Sequence, residues 1–268
     1  MPERKKSLKI LFVGDVFGET GRKALGIQIE KIRNLEKPDF IIVNGENAAG
    51  GKGITYNTAQ EIFSCGVDAI TMGNHTWARK EVMNIIDSGM NIIRPANYPR
   101  GVPGKGRIIL EKDGVKLGLI NLIGRVYMEN NVDCPFQAAD REVQNLRGQV
   151  DAILVDFHAE ATSEKIAMGY YLDGRAEVVV GTHTHVQTAD EQILENGTAY
   201  ITDVGFTGPA DGVIGVNREQ IIRKFTSGLP SQFEPASGRA IFNAVMVTID
   251  PVMKKAVNIR RIADYIKL

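Results

Sequence analysis

Val178-Val179-Val180-Gly181-Thr182-His183-Thr184-His185 is a short apolar run that stops abruptly in polar side chains able to bind a metal. Its length suits a buried strand, with two imidazoles at the carboxyl end. The pattern recurs in Ala69-Ile70-Thr71-Met72-Gly73-Asn74-His75 and in Ala152-Ile153-Leu154-Val155-Asp156-Phe157-His158. Together these runs hold all four histidines of the 268-residue chain. Two further runs, Leu8-Lys9-Ile10-Leu11-Phe12-Val13-Gly14-Asp15 and Phe40-Ile41-Ile42-Val43-Asn44-Gly45-Glu46-Asn47, end in oxygen donors. In open α/β sheets, ligands bind beyond the carboxyl ends of the strands, so residues at those ends can converge. Five such ends carrying Asp, Glu, Asn and His predict an α/β protein with a metal site along one sheet edge.

Outward from these runs, strand-like and helix-like segments alternate, which is the pattern of βα units and a largely parallel sheet. Segment 22–36 carries Leu25, Ile29, Ile32 and Leu35 at helical spacing. Further helices are expected over 56–64, 79–87, 136–146 and 163–172. Turn chemistry at Asp113-Gly114 and Asn196-Gly197 predicts hairpins over 108–122 and 191–203. Two late strands, 240–249 and 257–263, flank Pro251. A mixed sheet or two packed sheets flanked by helices accommodates these elements. One domain is expected over 1–268. An excursion over 205–238, with a helical stretch at 218–225, reads as a lid, a substrate loop, an oligomer contact or an ordinary surface insertion.

The composition, 43% hydrophobic and 24% charged, is that of a soluble globular protein. Lysine plus arginine and aspartate plus glutamate both number 32, so no overall field draws the chain to nucleic acid or anionic lipid. Cys65 and Cys134 lie far apart and suggest neither a disulfide framework nor a thiolate metal site, which fits a cytoplasmic setting. The basic start Met1-Pro2-Glu3-Arg4-Lys5-Lys6 precedes an apolar stretch too short for a signal peptide, which is read as the first strand. No apolar run approaches the ~18 residues of a membrane span.

Each polar strand end has a functional and a plain reading. Asp15 after Gly14 is a short carboxylate able to lean into a shared site, and taken alone it is a turn or helix-cap residue. Glu46 carries two oxygens able to bridge cations held ~3.5 to 4 Å apart, with the Asn47 amide oxygen beside it. The glycines of Gly50-Gly51-Lys52-Gly53 fail as a Walker motif, because Glu46 occupies the first glycine position and Gly53 that of the Ser or Thr. At Asn74-His75 the amide can meet a metal while the imidazole handles a proton; the alternative is a capping Asn beside a packed His. At a strand end that turns, His183 and His185 can both reach one cluster from neighbouring directions, with His158 as a third imidazole.

Taken together, Gly14-Asp15-Val16-Phe17-Gly18, Asn44-Gly45-Glu46-Asn47-Ala48, Gly73-Asn74-His75-Thr76, Asp156-Phe157-His158-Ala159-Glu160 and Gly181-Thr182-His183-Thr184-His185 resemble the calcineurin-like metallophosphoesterases, and within them the bacterial YmdB-like branch. The resemblance covers nearly the whole chain. It implies an α-β-β-α sandwich of two packed mixed β-sheets flanked by helices. It also implies a dinuclear metal centre that hydrolyses 2′,3′-cyclic nucleotides to 3′-nucleotides through a metal-activated water. Two departures from the broad superfamily match the branch. Phe17 stands where most members have a histidine, and Glu46 followed by Asn47 stands where most have a bridging Asp, so the Asn47 oxygen is expected to replace the missing imidazole.

Carried over residue by residue, the resemblance gives a first metal held by Asp15, Glu46, Asn47 and His185. It gives a second held by Glu46, Asn74, His158 and His183, with His75 as proton donor. The mixed oxygen and imidazole set suits iron or manganese and admits zinc. Asp156, Glu160 and Asp203 are candidates to orient the imidazoles, or else caps and surface charges. Phe206, Tyr127 and Arg125 could face a nucleotide, with burial in the core as the other role for the aromatics. The expected partner is a small cyclic nucleotide or phosphodiester, with no membrane and no strong nucleic-acid surface; a homo-oligomer is one further expectation. Rival readings are a broader phosphomonoesterase or phosphodiesterase, and a metal-stabilised nucleotide- or RNA-binding regulator. A separate proton donor argues against the regulator, since binding alone needs none.

Overall fold

Strand β1 (Leu8–Val13) is apolar almost throughout, and its successive side chains leave in opposite directions. Leu8, Ile10 and Phe12 enter one core while Leu11 and Val13 enter another. A strand buried on both faces must be an inner layer. The computed structural model describes residues 7–129 and 131–268, so the basic start lies outside the described residues.

After β1 come β2 (Asp15–Val16), α1 (Gly18–Glu36), β3 (Phe40–Asn44), α2 (Tyr56–Ser64), β4 (Ala69–Thr71), α3 (Val82–Ile85) and β5 (Ile92–Ile93). The middle of the chain forms β6 (Arg107–Lys112), β7 (Val115–Ile123), α4 (Pro135–Leu146), β8 (Ala152–His158), α5 (Thr162–Leu172) and β9 (Val178–Thr182). The last part forms β10 (Gln192–Ile193), β11 (Ala199–Ile201), β12 (Phe206–Pro209), α6 (Arg218–Ser227), β13 (Ala240–Asp250) and β14 (Lys255–Ile266).

One sheet has the order β2-β12-β13-β1-β3-β4-β5 with β14 also on β13, and the other has the order β10-β11-β9-β8-β7-β6. β14 lines one side of β13 along its length, so β12 and β1 share the other side end to end. β1, β3, β4 and β5 are parallel, as are β7, β8, β9 and β11, while β13 and β6 pair antiparallel with their neighbours and make both sheets mixed. Parallel pairing sends the carboxyl ends of β1, β3 and β4 to one edge, and those of β7, β8 and β9 likewise.

Three apolar clusters divide four layers. Ile10, Phe12, Phe40 and Ile42 meet Leu119, Leu154, Val178 and Val180 between the sheets. Leu25, Ile29 and Ile62 of α1 and α2 cover the outer face of the first sheet, and Val143, Leu146, Met168 and Leu172 of α4 and α5 cover that of the second. The result is the expected α-β-β-α arrangement of two mixed sheets. Both expected hairpins form, with Asp113 at φ 50° and Gly114 at φ 77° in the first turn. Helix α1 begins four residues before the apolar periodicity does, because its first turn holds two glycines, poor helix formers that carry no apolar signal. Helix α3 is a single short turn of the longer stretch expected, although Val82 and Ile85 are buried as a helix would bury them.

Residues 205–238 begin as β12 inside the sheet and then leave it. Helix α6 buries none of its residues, and Ile222 and Phe225 stand exposed on it. No helix of the described residues is long and apolar enough to cross a membrane.

Candidate metal centre

Beyond β1 the chain turns inward at Gly14. A Cβ there would lie 2.0 Å from the carbonyl oxygen of Gly205, so only glycine permits this approach. The next residue, Asp15, donates its N–H to that same carbonyl at 3.1 Å and is fully buried. From β3, Glu46 and Asn47 arrive 1% and 3% exposed. From β4, Gly73 passes so near the centre that a Cβ would meet Glu46 Oε2 at 2.3 Å and the His158 ring at 2.4 Å. Gly73→Ala is therefore expected to displace the Glu46 carboxylate, lowering stability by about 1–3 kcal/mol and depleting any bound metal. Thermal denaturation and metal analysis of the purified variant check this.

The donors form two groups that share one carboxylate. Around His158 Nε2 stand Glu46 Oε1 at 3.1 Å, Asn74 Oδ1 at 2.9 Å and His183 Nδ1 at 3.0 Å. Around the Asn47 amide stand Asp15 Oδ1 at 3.3 Å, Glu46 Oε1 at 3.4 Å and His185 Nε2 at 3.2 Å. Rotating that amide by half a turn presents its oxygen at the same place. Glu46 Oε1 belongs to both groups, as a bridging ligand must.

The His-Thr-His segment reaches both groups through backbone strain. His183 has φ 105° and His185 φ 66°, both in the left-handed region that side chains avoid. Asp203 stabilises the turn, accepting the Thr184 N–H at 3.0 Å and the Thr184 hydroxyl at 2.7 Å. Lys165, 1% exposed, neutralises Asp203 at 2.6 Å.

Each imidazole of the two groups has one nitrogen held from behind, which leaves the other aimed at the centre. His158 Nδ1 donates to Thr182 Oγ1 at 2.9 Å, and that hydroxyl donates to Asp156 at 2.8 Å. Asp156 also accepts from Asn44 and Thr71. His183 Nε2 meets Glu160 at 3.0 Å, and His185 Nδ1 donates to the Ile214 carbonyl at 3.1 Å. Behind His185 the ring of Phe206 stacks at 5.2 Å and 7°, and Phe17 packs edge-on at 6.0 Å. Phe17 thus fills the place beside the site with apolar bulk instead of a donor.

Of the orienting candidates, Glu160 touches an imidazole directly, Asp156 acts through Thr182, and Asp203 acts on the turn. The pattern of strand ends misses Asn44, Thr182, Ile214 and Lys165. Lys165 leaves a faint trace, a cation on the same helical face as Met168 and Leu172.

Two buried carboxylates and several neutral donors call for cations. Burial by itself would lower the His158 pKa, yet Glu46, and after it Asp15 and Asp156, raise it to about 9. Burial pushes Glu46 up, but the charge and hydrogen bond of His158, joined by His75, together outweigh this and hold it well below the usual carboxylate range. His183 is driven down to about 3 by burial and by the charge on His158, so it stays neutral. A metal bound at His158 would have to displace the proton there. Affinity is therefore expected to rise by up to about tenfold per pH unit until about pH 9, with release of about one proton at neutral pH. Calorimetry of metal binding in buffers of different ionisation enthalpy measures this, and a flat pH dependence would exclude His158 as a ligand.

His75 stands apart from both groups. Its backbone N–H donates to Glu46 Oε2 at 3.0 Å, while its half-buried imidazole takes no hydrogen-bond partner among the described residues. Burial lowers its pKa, and the Glu46 charge opposes that shift.

The sequence model of the YmdB-like protein family matches residues 11–262. The chain belongs to this family. A Bacillus subtilis (strain 168) relative, described as a 2′,3′-cyclic-nucleotide 2′-phosphodiesterase, is 51% identical over 255 residues, covering 95% of this chain and 96% of that protein. A Mycoplasma pneumoniae crystal structure described as a novel phosphatase superposes with a TM-score of 0.91 at 36% identity, covering 97% of this chain and 94% of that one. A hypothetical protein from Thermus thermophilus superposes with a TM-score of 0.90 at 41% identity, covering 96% of this chain and 99% of that one. The YmdB-like resemblance and the metallophosphoesterase fold that it implied both hold.

Proposed function

We propose that this chain is a metal-dependent phosphodiesterase that hydrolyses 2′,3′-cyclic nucleotides to 3′-nucleotides. The observation that carries the reading is the pair of donor groups sharing Glu46 Oε1, with an imidazole beside them that takes no hydrogen-bond partner among the described residues. The Bacillus subtilis relative supports the choice of substrate. Asp15, Glu46, Asn47 and His185 hold one ion, and Glu46, Asn74, His158 and His183 hold the other. Bound there, iron, manganese or zinc ions supply charge stabilisation for the phosphoryl oxygens and a water acidic enough to attack phosphorus.

The chain's own residues do the rest. Glu46 sets the spacing of the two groups, and the held imidazoles keep their free nitrogens pointed inward. As the bond between phosphorus and the 2′-oxygen breaks, His75 gives its proton to that oxygen, and the phosphate stays on the 3′-oxygen. The lowered pKa of His75 makes its protonated form a readier donor.

Phosphomonoester hydrolysis is a second reading, favoured by the phosphatase description of the Mycoplasma pneumoniae structure. Metal-loaded protein incubated with 2′,3′-cyclic AMP, 3′,5′-cyclic AMP, bis(p-nitrophenyl) phosphate and a mononucleotide separates the two. Formation of 3′-AMP as the dominant reaction is the expected result. Free phosphate released from the mononucleotide as the dominant product would overturn it.

A further inference from the structure

Past β7 the chain continues beside the end of the strand that carries His158. Ile123 pairs with His158 across the β7–β8 register, and the Gly124 N–H donates to the His158 carbonyl at 2.9 Å. The next residues are held by a buried acid. Glu164 of α5, 9% exposed, accepts the Arg125 N–H at 3.0 Å and the Val126 N–H at 3.3 Å. Tyr127 follows with φ 60° and is 86% exposed. An aromatic ring normally gains from burial, and a tyrosine avoids the left-handed region. Here neither preference is met, and the buried acid holds the loop that presents the ring to solvent. Strain of this kind, maintained by its surroundings, clusters where a ligand is gripped. The aromatics packed on His185, Phe17 and Phe206, are 6% and 7% exposed and already engaged with that ring.

We propose that Tyr127 is the stacking platform for the base of the nucleotide, a specificity-determining residue whose position is set by Glu164. This rests on the cyclic-nucleotide reading above. A base has a π-face whatever its identity, so a single exposed ring three residues past Gly124 grips purines and pyrimidines alike and adds nothing to a substrate without a base.

The test compares 2′,3′-cyclic AMP with ribose 2′,3′-cyclic phosphate, which has the same reacting ring and no base. For Y127A the ratio of kcat/KM for the nucleotide over the baseless compound is expected to fall about 5- to 100-fold, mainly through KM, while Y127F keeps most of it. Thermal denaturation of both variants checks that the fold is kept. A ratio unchanged in Y127A overturns the proposal, as does an equal loss on both substrates, which would mark a structural role. Wild-type protein inactive on both compounds would overturn the underlying reading and the platform with it, an outcome visible before any variant is made.

Discussion

Glu46→Ala is expected to lose both metals and to lower turnover of 2′,3′-cyclic AMP by about 10³-fold or more, since one atom serves both donor groups. One consequence runs in the opposite sense, since the proton that competes with metal at His158 is held less firmly. His158 keeps its proton in the metal-free site because Glu46 answers the charge, and without Glu46 the burial of that imidazole lowers its pKa. Elemental analysis of the purified variant, paired with steady-state kinetics, reads both consequences. A variant that keeps a full metal complement would show that Glu46 is no bridge.

His75→Ala is expected to separate what Glu46→Ala confounds. Its imidazole touches neither donor group, so metal content should stay at the wild-type level while kcat falls about 10²- to 10⁴-fold, the usual worth of a positioned proton donor. The pH profile adds a second signature. A donor must be protonated, so activity falls as pH rises through its pKa, which burial moves below the ordinary histidine value. In His75→Ala that alkaline limb should vanish. Full activity in this variant would remove His75 from the reaction.

The apolar strand runs carry most of the fold, because a strand buried on both faces writes itself as an unbroken apolar word, and its carboxyl end then shows as the first polar residues after it. All seven proposed ligands and His75 were legible on that ground. The supports behind them were not. Thr182 and Asn44 sit inside those same runs, where a lone polar residue reads as a pause in hydrophobicity; its meaning appears only when Asp156, distant in sequence from Asn44, is found against both. Ile214 acts through its backbone carbonyl, which any residue possesses, so no side-chain pattern can announce it.

The positions of the strands, their two-sided burial and the chemical nature of the centre all follow from local composition and periodicity, which act over a few neighbouring residues. The rest depends on contacts between distant segments. An extended strand would leave His183 and His185 on one face, and the turn held by the buried Lys165–Asp203 pair instead sends them to the two donor groups. Gly14 and Gly73 read as ordinary glycines until Gly205 and His158 are seen to occupy the space a side chain would need. Tyr127 reads either as a core aromatic or as a nucleotide contact until Glu164 is found holding its loop open to water. Strain and close approach of this kind are set by what packs against a residue, and no stretch of sequence contains its own neighbours.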